Sequence, residues 1–236
     1  MLQPCKVVII EGLIGSGKTT LSRELGAALN ALTLFEPDEK GNEKAGNPYL
    51  ADYYKDPKRW SFVLQVHQLQ ARYRMHLHAQ WHAMQGLGHA VLDRSYFGDT
   101  AFARLQLSSG NMSQREFDTY SSIYHAMTAG VLHPTICIRV LATPEVCVAR
   151  VQKRMEDETG RVCESTIDLE YMRGLEREIN HMVDVLQNMG VKVFDMPWDS
   201  SLPDEKARRG AVNALAARIE AYEPLDLFLN MHRRTL

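Results

Sequence analysis

An α/β fold, with a parallel sheet flanked by helices, is what this 236-residue sequence predicts, and three observations predict it. Short apolar runs rich in Val and Ile recur along the chain, segments of helical periodicity lie between them, and the first run leads straight into a glycine-rich loop that opens a helix. Strands alternating with helices imply a parallel sheet covered on both faces.

The runs at residues 7–10, 90–92, 136–140 and 191–194 read as buried parallel strands, and 32–35 supplies a shorter fifth. Helical periodicity marks residues 18–29, 57–85, 113–129, 144–154, 168–189 and 204–221. There is no internal repeat or low-complexity tract. The polar stretches 38–47 and 155–166 are short enough to be functional loops, so residues 1–236 are expected to form a single domain. The stretch 224–236 reads as a docked or frayed tail.

Composition narrows the class. With 45% hydrophobic and 24% charged residues the chain has material for a sizeable core, and a net charge of −2 creates no field to draw it to nucleic acid or an anionic membrane. The opening MLQPCKVVIIEGL is neither a signal peptide nor a membrane span. Cys5, Cys137, Cys147 and Cys163 form no CxxC pair, which favours reduced, packed thiols and a cytoplasmic location.

Gly12-Leu13-Ile14-Gly15-Ser16-Gly17-Lys18-Thr19 satisfies GxxxxGK[ST] between the first strand and a helix. Glycines let backbone N–H groups curl around a polyphosphate, Lys18 can reach its outer phosphates, and Thr19 offers a hydroxyl to Mg²⁺. ATP or GTP binding follows, with Gly12, Gly15, Ser16, Gly17, Lys18, Thr19 and Thr20 as the site. A GTPase would carry guanine-reading and switch motifs, which are missing, and the chain is short for a motor.

The acceptor side must decide between the rest. Glu36 stands at the end of the second strand, where α/β sheets build their sites, and Asp93 and Arg94 end the third. Position alone allows Glu36 to be a general base, although a solvated loop glutamate is the simpler reading, and a surface ion pair is the simpler reading of Asp93 and Arg94.

In order along the chain, the phosphate loop, Phe35-Glu36-Pro37, Asn47-Pro48-Tyr49-Leu50, Tyr54-Lys55-Asp56-Pro57-Lys58-Arg59-Trp60 leading to Phe62 and Gln65, Asp93-Arg94-Ser95, Gly110-Asn111-Met112-Ser113, the arginines Arg150 and Arg154, Gly160-Arg161, Glu164 and Leu169-Glu170-Tyr171-Met172 resemble the deoxynucleoside kinase family, above all its bacterial deoxyadenosine and deoxyguanosine kinases. The resemblance implies a P-loop kinase fold and ATP-dependent phosphorylation of a deoxynucleoside 5′-hydroxyl for nucleotide salvage. By matching position, Glu36 is the base that takes the hydroxyl proton, Arg94 steadies developing charge, and Asp93 joins Thr19 at Mg²⁺. Tyr54 and Glu164 match the pair on the sugar 3′-hydroxyl, and Gln65 matches the amide that pairs with the base edge. Arg150, Arg154 and Arg161 match lid arginines that clamp ATP, in a lid at about residues 150–166.

Arg72 and Asp99 match an Arg–Asp pair over the base, found in the resembling kinases of deoxycytidine and the purine deoxynucleosides. That pair disfavours thymidine; a purine is the expected acceptor, with deoxycytidine the near alternative. The sequence departs from the pattern at residues 155–159, where three acidic residues are inserted beside the lid arginines. The family pattern also implies a homodimer through long helices. Two rivals stay open: a nucleoside monophosphate kinase, and a P-loop protein serving as a structural or regulatory subunit. His76, His78, His82 and His89 lie close together, and His78 and His82 have the spacing of zinc ligands, but no HExxH glutamate accompanies them. Solvated helix histidines are expected.

Overall fold

A computed structural model describes residues 4–36, 47–157, 167–199 and 204–223. Five strands, β1 (Val7–Glu11), β2 (Leu32–Leu34), β3 (Ala90–Asp93), β4 (Ile136–Leu141) and β5 (Lys192–Pro197), form one sheet in the order β2-β3-β1-β4-β5. Every pairing is parallel: Ile9 faces Leu92 on one side and Cys137 on the other. The helices are α1 (Lys18–Ala28), α2 (Leu50–Lys55), α3 (Pro57–Met84), α4 (Tyr96–Ser108), α5 (Gln114–Thr128), α6 (Pro144–Asp157), α7 (Leu169–Asn188) and α8 (Glu205–Ala221).

The strand period of two sorts the core into layers. Val7 and Ile9 point to one side of the sheet, into a cluster with residues of α3, α4 and α7. Val8 and Ile10 point to the other, against Leu21 and Leu25 of α1 and Val212, Leu215 and Ile219 of α8. Helices on both faces explain why the central strands carry continuous apolar runs, with charged residues only towards their C-terminal ends, rather than an alternating pattern.

Five helices begin at side-chain caps their sequences offer, α7 at Asp168 and α8 at Asp204 among them. Asp56 accepts from Arg59 N–H ahead of Pro57, Ser95 caps α4, and Ser113 forms a reciprocal capping box with Glu116. Periodicity did not reveal α4, because it is packed on nearly every side: nine of its residues, from Tyr96 to Gln106, are buried between α3, α5 and α7. A helix whose wet face is reduced to Arg104 and Ser108 shows no broad amphipathic stripe to read. The short α2 is likewise too brief to show a period. Further along the chain, α6 runs to Asp157, so the acidic insertion begins as helix rather than as loop.

The histidine expectation needs correcting at two positions. His89 lies beyond the end of α3 and is half-buried, its Nδ1 accepting from Lys6 N–H at 2.9 Å. His76 is fully buried on α3, where Nε2 donates to the Leu132 carbonyl at 2.9 Å and Nδ1 has no hydrogen-bond partner. No cluster of potential metal ligands occurs among the described residues. Burial pushes the His76 pKa down to about 4 from an ordinary 6.5. The unfolded chain therefore takes up a proton below pH 6.5 that the folded chain refuses, and stability falls as pH drops from 6.5 towards 4. His76 should contribute about 3 kcal/mol to that loss. Urea titrations between pH 7 and 4.5 should show a shallower slope in His76→Gln; an identical slope would remove His76 from the account.

Candidate active site

The chain crosses from β1 into the phosphate loop at the C-terminal edge of the sheet, where the strand order switches direction and a crevice opens. The loop's close approaches demand glycine. Gly17 has φ 94°, and a β-carbon there would lie 2.5 Å from the Trp198 indole; one at Gly15 would lie 2.8 Å from the Cys147 carbonyl. The first N–H groups of α1 open onto this loop, giving the polarity that suits phosphate.

Lys18 is buried, and its Nζ donates to the Leu13 carbonyl at 2.6 Å. Burial, then the charge of Arg94, lowers its pKa to about 8. Thr19 hydroxyl donates to Asp93 Oδ2 at 2.6 Å, joining the first turn of α1 to the end of β3. Ser16 Oγ is buried without a hydrogen-bond partner, and Thr20, next to Thr19, is half-buried. Arg150 ties α6 to this region, donating to the Ser16 carbonyl at 3.2 Å and the Trp198 carbonyl at 3.0 Å. From α6 it therefore braces the loop and the residue that follows β5.

On the acceptor side, Glu36, at the edge of β2, is not a solvated loop residue. Arg72 holds its Oε1 through Nε at 2.8 Å and Nη2 at 2.6 Å, while Arg94 Nε lies 3.3 Å from its Oε2. Burial would raise the Glu36 pKa, but Arg72 and Arg94 overcome it and hold the carboxylate below its ordinary value. Arg72 is bonded at its other edge as well, Nη1 to Asp99 Oδ1 at 2.6 Å, and Tyr120 hydroxyl donates to Asp99 Oδ2 at 2.6 Å. Burial lifts Asp99 to about 6 against the pull of Arg72. Both guanidiniums stand over the Phe102 ring, at 5.5 and 5.0 Å. The surface ion pair expected of Asp93 and Arg94 is likewise replaced by two buried side chains with separate partners.

Gln65 and Arg72 share the buried stripe of α3 with Ser61, Leu69, His76 and Ala79. Two large polar groups on a core-facing stripe signal a site beneath it. Gln65 Oε1 is buried and has no hydrogen-bond partner. Tyr54, on α2, is half-buried, its ring 5.1 Å from that of Tyr53. Arg154 is half-buried near the end of α6. Arg161 and Glu164 lie outside the described residues, as does most of the 155–166 stretch.

The structure thus brings together Lys18, Thr19 and Asp93 in one group, and Glu36, Arg72, Arg94 and Asp99 in another, and Arg94 also reaches the phosphate loop, its Nη1 donating to the Gly12 carbonyl at 3.2 Å. Sequence reasoning missed Trp198, Phe102 and Tyr120, which carry no pattern of their own. It also passed over Glu11, although a carboxylate ending the run VVII just before a phosphate loop is a legible anomaly.

A phosphate loop linked through one arginine to a cation-held carboxylate is the apparatus of a P-loop kinase acting on a hydroxyl-bearing acceptor. The family model described as "Deoxynucleoside kinase" matches residues 8–218, and the chain belongs to that family. It is 31% identical over 199 residues to a deoxyadenosine kinase of Dictyostelium discoideum, covering 84% of this chain and 75% of that one. It is 34% identical over 161 residues to a deoxyadenosine/deoxycytidine kinase of Bacillus subtilis, covering 66% and 70%. The solved structure of a deoxyadenosine kinase from M. mycoides, with products dCMP and a flexible dCDP bound, superposes with a TM-score of 0.71 at 25% identity, covering 92% of this chain and 100% of that one.

Proposed function

We propose that this kinase transfers the γ-phosphoryl group of ATP to the 5′-hydroxyl of a deoxynucleoside in nucleotide salvage, with deoxyadenosine or deoxyguanosine preferred. The observation that carries the residue roles is Arg72, bonded at once to Glu36 and Asp99. In this mechanism Glu36 accepts the proton of the 5′-hydroxyl, the freed oxygen forms its bond to the γ-phosphorus, and the bond to the ADP oxygen breaks. Lys18 and Arg94 offset charge on the transferring group. Arg150, Arg154 and Arg161 belong to a lid over the ATP phosphates at about 150–166.

Thr19 and Asp93 suit Mg²⁺, since they place a hydroxyl and a carboxylate oxygen 2.6 Å apart beside the phosphate loop, both hard oxygen donors. They would hold the ion, which when bound neutralises phosphate charge. Tyr54 and Glu164 are assigned to the sugar 3′-hydroxyl and Gln65 to the base. The unpartnered Gln65 amide oxygen supports that role, for it suits a donor on a base edge. Likeness to the family also supports a homodimer in the cytoplasm, consistent with the fact that no helix among the described residues is long and apolar enough to cross a membrane.

The Arg72–Asp99 pair, backed by Tyr120, favours bases with amino or oxo groups and crowds a thymine methyl. Initial rates with ATP and each of the four deoxynucleosides should rank a purine first and thymidine last, with kcat/KM at least about tenfold apart. Equal efficiency on thymidine and deoxyadenosine would sink the specificity assignment, and deoxycytidine in first place would move the preference to that base. Phosphorylation of dAMP but not deoxyadenosine would mean a monophosphate kinase, and no transfer at all a non-catalytic subunit.

A further inference from the structure

Glu11 is the last residue of β1 and is fully buried where the chain leaves the sheet for the phosphate loop. A carboxyl group there costs stability unless its bonds do something that an apolar side chain could not. Its Oε1 accepts twice from Ser95, from the backbone N–H at 2.9 Å and from the hydroxyl at 2.6 Å. The same hydroxyl accepts from Phe97 N–H at 3.2 Å and Gly98 N–H at 3.4 Å, which starts α4.

Between β3 and this cap stands Arg94, with φ 69°, a left-handed conformation that is unfavourable for any residue with a β-carbon. Its N–H donates to the Ile10 carbonyl at 3.0 Å. The turn is therefore held against β1 from both sides, by the Ile10 carbonyl before it and the Glu11 carboxyl after it. A β-carbon at Gly98 would overlap the Glu11 carboxyl group, so the first turn of α4 is cut to leave it room. Glu11 is sealed from solvent, and its Oε2 has no hydrogen-bond partner.

We propose that Glu11 is a positioning residue for phosphoryl transfer: by accepting from Ser95 it fixes the left-handed turn that aims the Arg94 side chain at Glu36 and the phosphate loop. Glu11 acts through a hydrogen-bonded anchor, not through contact with substrate. The role rests on the function proposed above for Arg94, and the two are separable by experiment.

Steady-state kinetics and ATP binding of five variants test it. Glu11→Ala should lower kcat by about 10- to 100-fold, the scale of a misplaced catalytic group, with the Kd for ATP changed only a few-fold. Glu11→Gln, whose amide oxygen still accepts from Ser95, should recover most of that loss. Gly98→Ala should push the carboxyl group off Ser95 and reproduce the kcat-selective defect, and added to Glu11→Ala it should cost little more. An unchanged kcat in Glu11→Ala or in Gly98→Ala, a Glu11→Gln variant as slow as the alanine, or ATP affinity lost in step with kcat would each overturn the proposal. If Glu11→Ala does not fold, Glu11→Gln and Gly98→Ala still decide it. Arg94→Ala is the control: full activity there would refute the proposed role of Arg94 itself, whereas a slow Arg94→Ala beside an active Glu11→Ala would refute only the anchor.

Discussion

Glu36→Gln should lower kcat by about 10²-fold or more while ATP binding stays near normal. The amide keeps the shape of the side chain but cannot accept the 5′-hydroxyl proton, and it weakens the ion pairs to Arg72 and Arg94. Because those arginines hold Glu36 below the ordinary carboxylate value, the ionised form is present throughout the neutral range. The fraction able to act as base is lost only as pH falls through that lowered pKa, so kcat/KM should show no acid limb from this group near pH 6. Pre-steady-state transfer measured from pH 5 to 8 checks both points, and near-normal turnover in Glu36→Gln would remove Glu36 as the base.

Arg94→Ala should be slower still, by about 10³-fold, because one side chain serves two groups of residues. It reaches the Gly12 carbonyl of the phosphate loop and the Glu36 carboxylate. Truncation removes charge beside the transferring phosphoryl and loosens the base. Backbone strain gives a second readout: with φ 69° at this position, Arg94→Gly should melt higher than Arg94→Ala, by about 1 kcal/mol of relieved strain, while both are equally slow. Single-turnover kinetics and thermal unfolding on the two variants separate chemistry from conformation, and turnover within tenfold of the parent enzyme would refute the assignment.

The sheet was legible because its central strands hold short Val- and Ile-rich runs, VVII and ICI, that are buried on both faces. The phosphate loop was legible because glycine, lysine and threonine at fixed spacing have few other uses. What stayed hidden was set by packing between distant segments. The burial of His76 depends on the Leu132 carbonyl arriving from the loop after α5, and the enclosure of α4 depends on α3, α5 and α7 closing around it. The joint grip of Arg72 on Glu36 and Asp99 joins α3 to α4 and to the segment that follows β2. Matching positions to a family suggested each residue's part, but not that one guanidinium would serve two of them. Tyr120 was beyond reach for a different reason: one tyrosine on a half-exposed helix looks like any other until its hydroxyl is seen at Asp99.

The central place of β1 also bears on how the molecule is made. Its neighbours come late: Lys6 N–H bonds to His89, 83 residues away, and Val7 N–H to Thr135, 128 residues away. A ribosome must therefore deliver the phosphate loop and the whole of α1 long before the strand that carries them is paired on either edge. Until then VVII is an apolar strand with open backbone groups on both sides, the kind of segment that seeks partners on other chains. Parallel pairing across such separations closes large loops and is slow. Crowded synthesis should thus hazard this protein most in the interval before residue 141, while β1 still lacks the neighbour that β4 supplies.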